Sequence, residues 1–167
     1  MNNKFFSFLK SIEGASFIKP SDEELLKFRE ISGGKLPDML TEVYTNTMPA
    51  DEIEFSDFVF YGIDRMYEEN INYIPGANIL PFGVFTFAST FDGDAICIDL
   101  NDDDFPVYQC SHELLADESE ISYYKEKMIY RLDFNYNNII KVSYRLADSL
   151  TEFIDELSEE TGVISTS

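Results

Sequence analysis

His112 is the only histidine in the chain. A catalytic zinc site or a Ser-His-Asp triad would have to be built on it. Cys110 stands two residues earlier, and in a continuing strand the two side chains would share a face. Two ligands do not complete a tetrahedral site. Neither the His-Glu-x-x-His nor the Gly-x-Ser-x-Gly pattern occurs. His112 therefore reads as a polar residue at a strand end. Asp92-Gly93-Asp94 and Asp102-Asp103-Asp104 look like fragments of calcium loops, but the loop pattern that closes on a glutamate is absent. Aspartate also favours tight turns, because its carboxylate bonds the backbone just ahead of it, and both clusters sit where turns are expected. Paired carboxylates could hydrolyse glycosides, yet with 32 acidic residues such pairs arise at every spacing by chance. Neither glycine-rich phosphate motif is present. The expectation is no catalytic residue, no metal ligand and no cofactor.

What the aspartates could do instead is bind. The 167 residues carry a formal net charge of -20. Residues 36–124 hold 19 acids and one base, Arg65, so almost the whole excess lies in one block. Residues 125–147 run the other way, with five bases and two acids. A solvated acidic face keeps a protein soluble. Charge of this size also repels itself, and a partner of opposite sign would relieve the repulsion and be steered in quickly. No basic patch is left for nucleic acid or for anionic lipid. The 15 phenylalanines suit a core, while the ten tyrosines also suit an interface.

Cys97 and Cys110 make neither a disulfide framework nor a Cys-x-x-Cys motif. The stretch Phe5–Leu9 is shorter than the roughly 7–15 apolar residues of a secretory signal. The long uncharged run 70–91 is broken by Pro75, Pro81, Gly76 and Gly83, so no bilayer span is expected. A cytoplasmic protein is the expectation.

The acids need elements to hold them. Residues 1–20 form a leader, with Phe5, Phe8, Leu9 and Ile12 on one helical stripe; residues 21–167 form a single domain. Ser21 and Glu24 make a capping box for a helix through Leu25 and Phe28 that stops at Gly33-Gly34. Pro37 opens a second helix, with Met39, Leu40, Val43, Tyr44 and Thr47 on its stripe and Pro49 beyond its end. Ile53–Tyr61 reads as one strand and Ile63–Ile71 as a short helix. Gly83–Ala88, Ala95–Leu100 and Val107–Cys110 read as antiparallel strands joined by turns at Asp92-Gly93 and Asn101–Pro106. Ile139–Tyr144 reads as a further strand, since Ile140, Val142 and Tyr144 alternate. Ser149 and Glu152 cap a last helix with Leu150, Phe153, Ile154 and Leu157 inward, closed by Gly162. The order predicts an α+β fold with an antiparallel sheet of four to six strands flanked by helices. In an unbulged hairpin centred between Asp103 and Asp104, Leu100 faces Val107, Ile98 faces Gln109, and Cys97 lies opposite Cys110. The two would then be neighbouring buried free thiols.

A series of short motifs resembles the SUKH superfamily, the Smi/Knr-like proteins. Leu36-Pro37 opens the second helix, and Leu80-Pro81-Phe82-Gly83 precedes the sheet. Asp92-Gly93-Asp94 leads to Ile98-Asp99, and Pro106-Val107-Tyr108 to His112-Glu113. Ala147-Asp148-Ser149-Leu150 opens a helix with Phe153-Ile154. The resemblance spans Ser21 to Leu157. It departs after the second helix, where Asn46-Thr47-Met48-Pro49 replaces a glycine turn. It implies no catalytic residue and, for bacterial members, a cytoplasmic immunity protein that neutralises a toxin, often a nuclease. The expectation is a non-catalytic protein that binds a basic toxin domain through Asp92, Asp94, Asp102, Asp103 and Asp104. The alternatives are a regulatory scaffold like the fungal glucan-synthesis regulators, or an acidic DNA mimic.

Overall fold

The computed structural model describes residues 2–160. The leader helix α1 (Lys4–Ser11) starts at Asn3, whose side chain accepts from the Phe6 amide at 3.0 Å and donates to the Met39 carbonyl at 2.9 Å. Phe5 and Leu9 are fully buried, and the Phe5 ring lies within 6.4 Å of those of Tyr44, Phe60 and Phe87. Burying one such side chain contributes about 1.5–3 kcal/mol, so α1 is part of the core. The strand β1 (Phe17–Ile18) follows. Helix α2 (Asp22–Ser32) has both halves of the Ser21/Glu24 capping box and ends at Gly33 with φ +58. Helix α3 (Asp38–Asn46) begins just after Pro37. The departing segment Asn46–Pro49 then supplies β2 (Met48–Pro49), which pairs with β1.

The expected strand 53–61 is instead a hairpin, β3 (Ile53–Phe55) and β4 (Phe58–Phe60), with Ser56 at φ +54 in the turn. The Ser56-Asp57 pair carries the turn signal that the aromatic run masked. Helix α4 (Ile63–Ile71) lies where expected. After the cis Ile74–Pro75 bond come α5 (Gly76–Ile79) and a 3-10 turn, Leu80–Phe82. Strands β5 (Val84–Thr90), β6 (Ala95–Asp99) and β7 (Val107–Cys110) continue the meander. A separate hairpin, β8 (Glu120–Lys125) and β9 (Met128–Asp133), turns on Glu126 and Lys127, both with positive φ. The expected strand 139–144 is in fact helix α6 (Tyr136–Val142) followed by β10 (Tyr144–Ala147). Asn135 caps α6 by accepting from the Asn138 amide at 2.9 Å, a local bond that overrides the alternation of Ile140 and Val142. Helix α7 (Leu150–Glu160) buries Leu150, Phe153, Ile154 and Leu157, and Ser149 accepts from the Glu152 amide at 3.1 Å. Gly162 lies outside the described residues.

The central antiparallel sheet has the order β10-β7-β6-β5-β4-β3. Every residue of β5 and β6 is buried, because helices cover both faces. Phe85, Phe87, Ile96 and Ile98 join the core made by α1, α3 and α7. On the other face Val84, Ala95, Cys97, Tyr108 and Cys110 pack with Ile79, Ile121 and Ile139. The fold is α+β with a six-stranded antiparallel sheet flanked by helices.

Two details set the register. The β5–β6 pairing shifts between Thr86 and Ala88, so Phe87 is the extra residue of a bulge. Strand β4 pairs with β5 only at Thr90 and Ser89, which leaves the Thr86 backbone beyond its reach. The buried side chain of Asn70, on α4, takes that place: it donates to the Thr86 carbonyl at 2.8 Å and accepts from the Thr86 amide at 3.0 Å. In the β6–β7 hairpin Cys97 pairs with Tyr108 and Ala95 with Cys110, which corrects the expected Cys97–Cys110 register by two positions. Leu100 does not face Val107; its amide donates to the Gly83 carbonyl at 2.8 Å, and the loop recentres between Asp102 and Asp103. A shift of two keeps both cysteines on one face. Both are buried and free. Burial pushes the Cys97 thiol up, and contact with Cys110 adds to this.

Candidate partner-binding surface

The five aspartates expected to meet a partner fall into two groups. Strand β6 separates them: Asp92 and Asp94 lie in the turn before it, and Asp102, Asp103 and Asp104 in the loop after it. Five residues of strand span about 17 Å, so the groups mark opposite ends of the sheet and do not form one continuous patch.

At the first end, Thr90 organises the turn. Its hydroxyl donates to Asp92 and accepts from the Asp94 amide at 3.0 Å. Gly93 supplies φ +98, which an L side chain adopts only with strain. Asp94 faces inward. One carboxylate oxygen takes the His112 amide at 3.0 Å and the His112 ring Nδ1 at 2.7 Å, and the other takes the Gln109 amide nitrogen at 2.9 Å. Asp94 is therefore a buckle that ties the β5–β6 turn to the end of β7. Asp92 remains exposed, beside Asp57 from the β3–β4 turn.

At the second end, Asp102 accepts from the Asp104 amide at 2.9 Å, and Phe105 sits at φ +54. Asp103 and Asp104 are exposed. Behind them Asp99 is 2% exposed and accepts from the Asn101 amide at 3.0 Å and from the Tyr136 hydroxyl. Burial and the hydrogen bond to Asp99 both push the Tyr136 hydroxyl well above its ordinary range.

His112 and Cys110 do not converge. The His112 ring rests on Asp94, whereas Cys110 lies in the core on the face of the sheet opposite α1 and accepts from the Ser143 hydroxyl at 3.4 Å. Among the described residues no group of three or more His, Cys, Asp or Glu side chains could hold a metal ion. Arg65, the one base of the acidic block, is held by Glu52 and Glu69 and stacks 4.8 Å from the Tyr61 ring centroid. It is therefore committed locally and does not offset the aspartates at the sheet ends.

The β8–β9 hairpin carries a weak sequence signal. Its root, Ile121, is fully buried, but Tyr124, Met128 and Ile129 are exposed towards its tip, and the rings of Tyr123 and Tyr130 stack 5.5 Å apart. Alternation of Ile121 and Tyr123 with Tyr130 and Leu132 is the signal that could have found it. The Glu126-Lys127 turn lacks the glycine that normally announces such a hairpin.

The chain matches the SMI1 / KNR4 family (SUKH-1) over residues 19–156. It belongs to that family. The match begins beyond α1 and ends within α7, so it takes in the whole central sheet. Comparison with curated proteins gives no match, and neither does comparison with solved structures. No helix among the described residues of this SUKH-1 protein is long and apolar enough to cross a membrane.

The Asp94 buckle has a pH signature. Burial pushes its carboxyl up, but the hydrogen bonds from Gln109 and from the His112 amide and ring, with the ring's charge, outweigh burial and hold it below the usual carboxylate range. A depressed folded value stabilises the fold above the unfolded carboxylate range, about pH 4. That contribution disappears as pH falls through the folded value. Asp94→Asn should therefore lower stability by about 1–2 kcal/mol at pH 7. The difference from wild type should shrink as pH falls below about 4. Urea unfolding of both proteins at several pH values checks this, and a difference that stays constant with pH would remove the ionised carboxylate from the explanation.

Proposed function

We propose that this SUKH-1 chain is a non-catalytic cytoplasmic immunity protein that neutralises a basic toxin domain by binding it through its acidic surface. The observation that carries the reading is the charge: 19 acids and one base over residues 36–124, with that base held by Glu52 and Glu69. Aspartates fixed on short hairpin turns lose little side-chain freedom on binding, which favours association. Asp92, Asp103 and Asp104 are the exposed members of the original five. Asp94 and Asp102 act by shaping the turns that present the others.

The test is the protein encoded immediately upstream. Produced alone it should arrest growth, and co-production of this chain should restore it. Purified, the two should associate at a rate that falls roughly tenfold or more between about 50 and 500 mM NaCl. Asp103→Asn with Asp104→Asn should slow association more than it speeds dissociation. A harmless neighbour that does not bind would favour the regulatory-scaffold reading, and a salt-independent association rate would remove the acidic surface from the interface.

A further inference from the structure

We propose that the cleft between the β3–β4 and β5–β6 turns receives an arginine side chain from a protein partner. The cleft has a volume of about 360 Å³ and is lined by Asp57, Phe58, Thr90, Phe91, Asp92 and Gln109. It combines two aromatic rings with two carboxylates and contains no basic residue. Phe91 is 58% exposed at the tip of its turn, so its ring is open to a ligand in the cleft.

Its polar atoms are nearly all acceptors. Asp57 takes part in no hydrogen bond or ion pair among the described residues. Asp92 uses one carboxylate oxygen for the Thr90 hydroxyl, which leaves the other. Gln109 has its amide nitrogen committed to Asp94 at 2.9 Å, so its carbonyl oxygen remains to accept. The Thr90 hydroxyl is taken up by Asp92, and the second N–H of Gln109 is the side-chain donor that remains in the lining. A site built of acceptors needs a ligand built of donors. The guanidinium group has five N–H donors and no acceptor, meets carboxylates in a bidentate fork, and stacks on aromatic faces. An ammonium would satisfy the charge but neither the fork nor the stacking. The buckle at Asp94 holds Gln109 and the β5–β6 turn in place, so the cleft is formed before the ligand arrives.

This inference rests on the reading of a basic partner and narrows it to one contact, and it can be tested without that partner. The probe is N-acetyl-arginine-amide, titrated into the full chain and followed by amide NMR shifts. N-acetyl-lysine-amide and the neutral isostere N-acetyl-citrulline-amide serve as comparisons. Arginine should move the Phe58, Phe91, Asp92 and Gln109 amides first. Its affinity should exceed that of lysine several-fold and that of citrulline about tenfold. Phe91→Ala and the pair Asp57→Asn with Asp92→Asn, all at exposed positions, should each weaken binding fivefold or more while leaving the spectrum folded. Shifts spread equally over Asp102–Asp104 and the cleft, or equal binding of citrulline, would overturn the proposal. If the arginine probe seats here while the upstream gene product is neither toxic nor bound, the cleft stands and the immunity reading falls. If the upstream product binds the cleft variants as tightly as wild type and the probe does not seat here, the cleft falls and the immunity reading stands.

Discussion

Replacing Gly76 with alanine should destabilise the fold by more than about 3 kcal/mol, a large part of the roughly 5–15 kcal/mol that holds such a domain together. A Cβ at this position would lie 1.9 Å from the Glu69 carbonyl oxygen and 2.9 Å from its carbon, with the Thr86 hydroxyl 3.0 Å away on the β5 side. The obstructing atoms belong to the backbone of α4, whose position is fixed from the other direction by Asn70 bonding β5. Neither side can yield without breaking those bonds. Thermal unfolding should show a drop of about 6–12 °C or more. Gly14→Ala is the comparison. That residue has φ +82 but nothing within 4 Å, so the loss there should be only the backbone strain, about 1–2 kcal/mol. Equal melting temperatures for the two variants would show that α4 and α5 can separate freely.

Asn70→Ala should be nearly as damaging. It leaves the Thr86 amide and carbonyl without partners in an interior where Thr86 is 0% and Asn70 1% exposed. An unsatisfied buried polar group costs about 1–3 kcal/mol, so a loss of about 2–6 kcal/mol is expected for the two together. Asn70→Asp should fare no better, because a carboxylate cannot donate to the Thr86 carbonyl. Hydrogen exchange localises the effect: the Thr86 amide should lose protection in the alanine variant well before the amides of β6. Retained protection at Thr86 would mean that water or a neighbouring strand had taken over the bond.

Asn70 also shows where the sequence stops being legible. Helices α2 and α7 could be read in advance because their caps and stripes are local: Ser21 with Glu24, Ser149 with Glu152, and the apolar spacing behind them. The meander could be read because Asp92-Gly93 and Asn101–Pro106 interrupt runs of branched and aromatic residues. The role of Asn70 could not, since its partner is 16 residues away and an asparagine near a helix end looks like any other. The same holds for the candidate surface. The turn positions of all five aspartates were visible, but Asp94 takes its partners 15 and 18 residues on, across the sheet, and so turned out to be a buckle. The Cys97–Cys110 register failed for a related reason. Numbering assumes that a loop is symmetric, while Leu100 bonds Gly83, just ahead of β5, instead of facing Val107. The pairing of Asp57 with Phe91 is not legible in the sequence, because only the finished sheet brings their two turns side by side.

The docking of α1 carries a consequence for how the protein is made. Lys4 on α1 pairs with Asp155 on α7 at 3.2 Å, across 151 residues of chain. Phe5, Phe8 and Leu9 share their core with Phe153, Ile154 and Leu157. At a synthesis rate of about 5–20 residues per second, the first helix waits roughly 8–30 s for the segment that covers it. Through that interval Phe5 and Phe8 can already meet Tyr44, Phe55 and Phe60, but the side of α1 that faces α7 stays open. The meander from β3 to β7 can assemble meanwhile from near neighbours, so the contact between α1 and α7 is the part of the core that must wait. The α7-facing side of α1 is thus the apolar surface that stays open longest while the chain is being made.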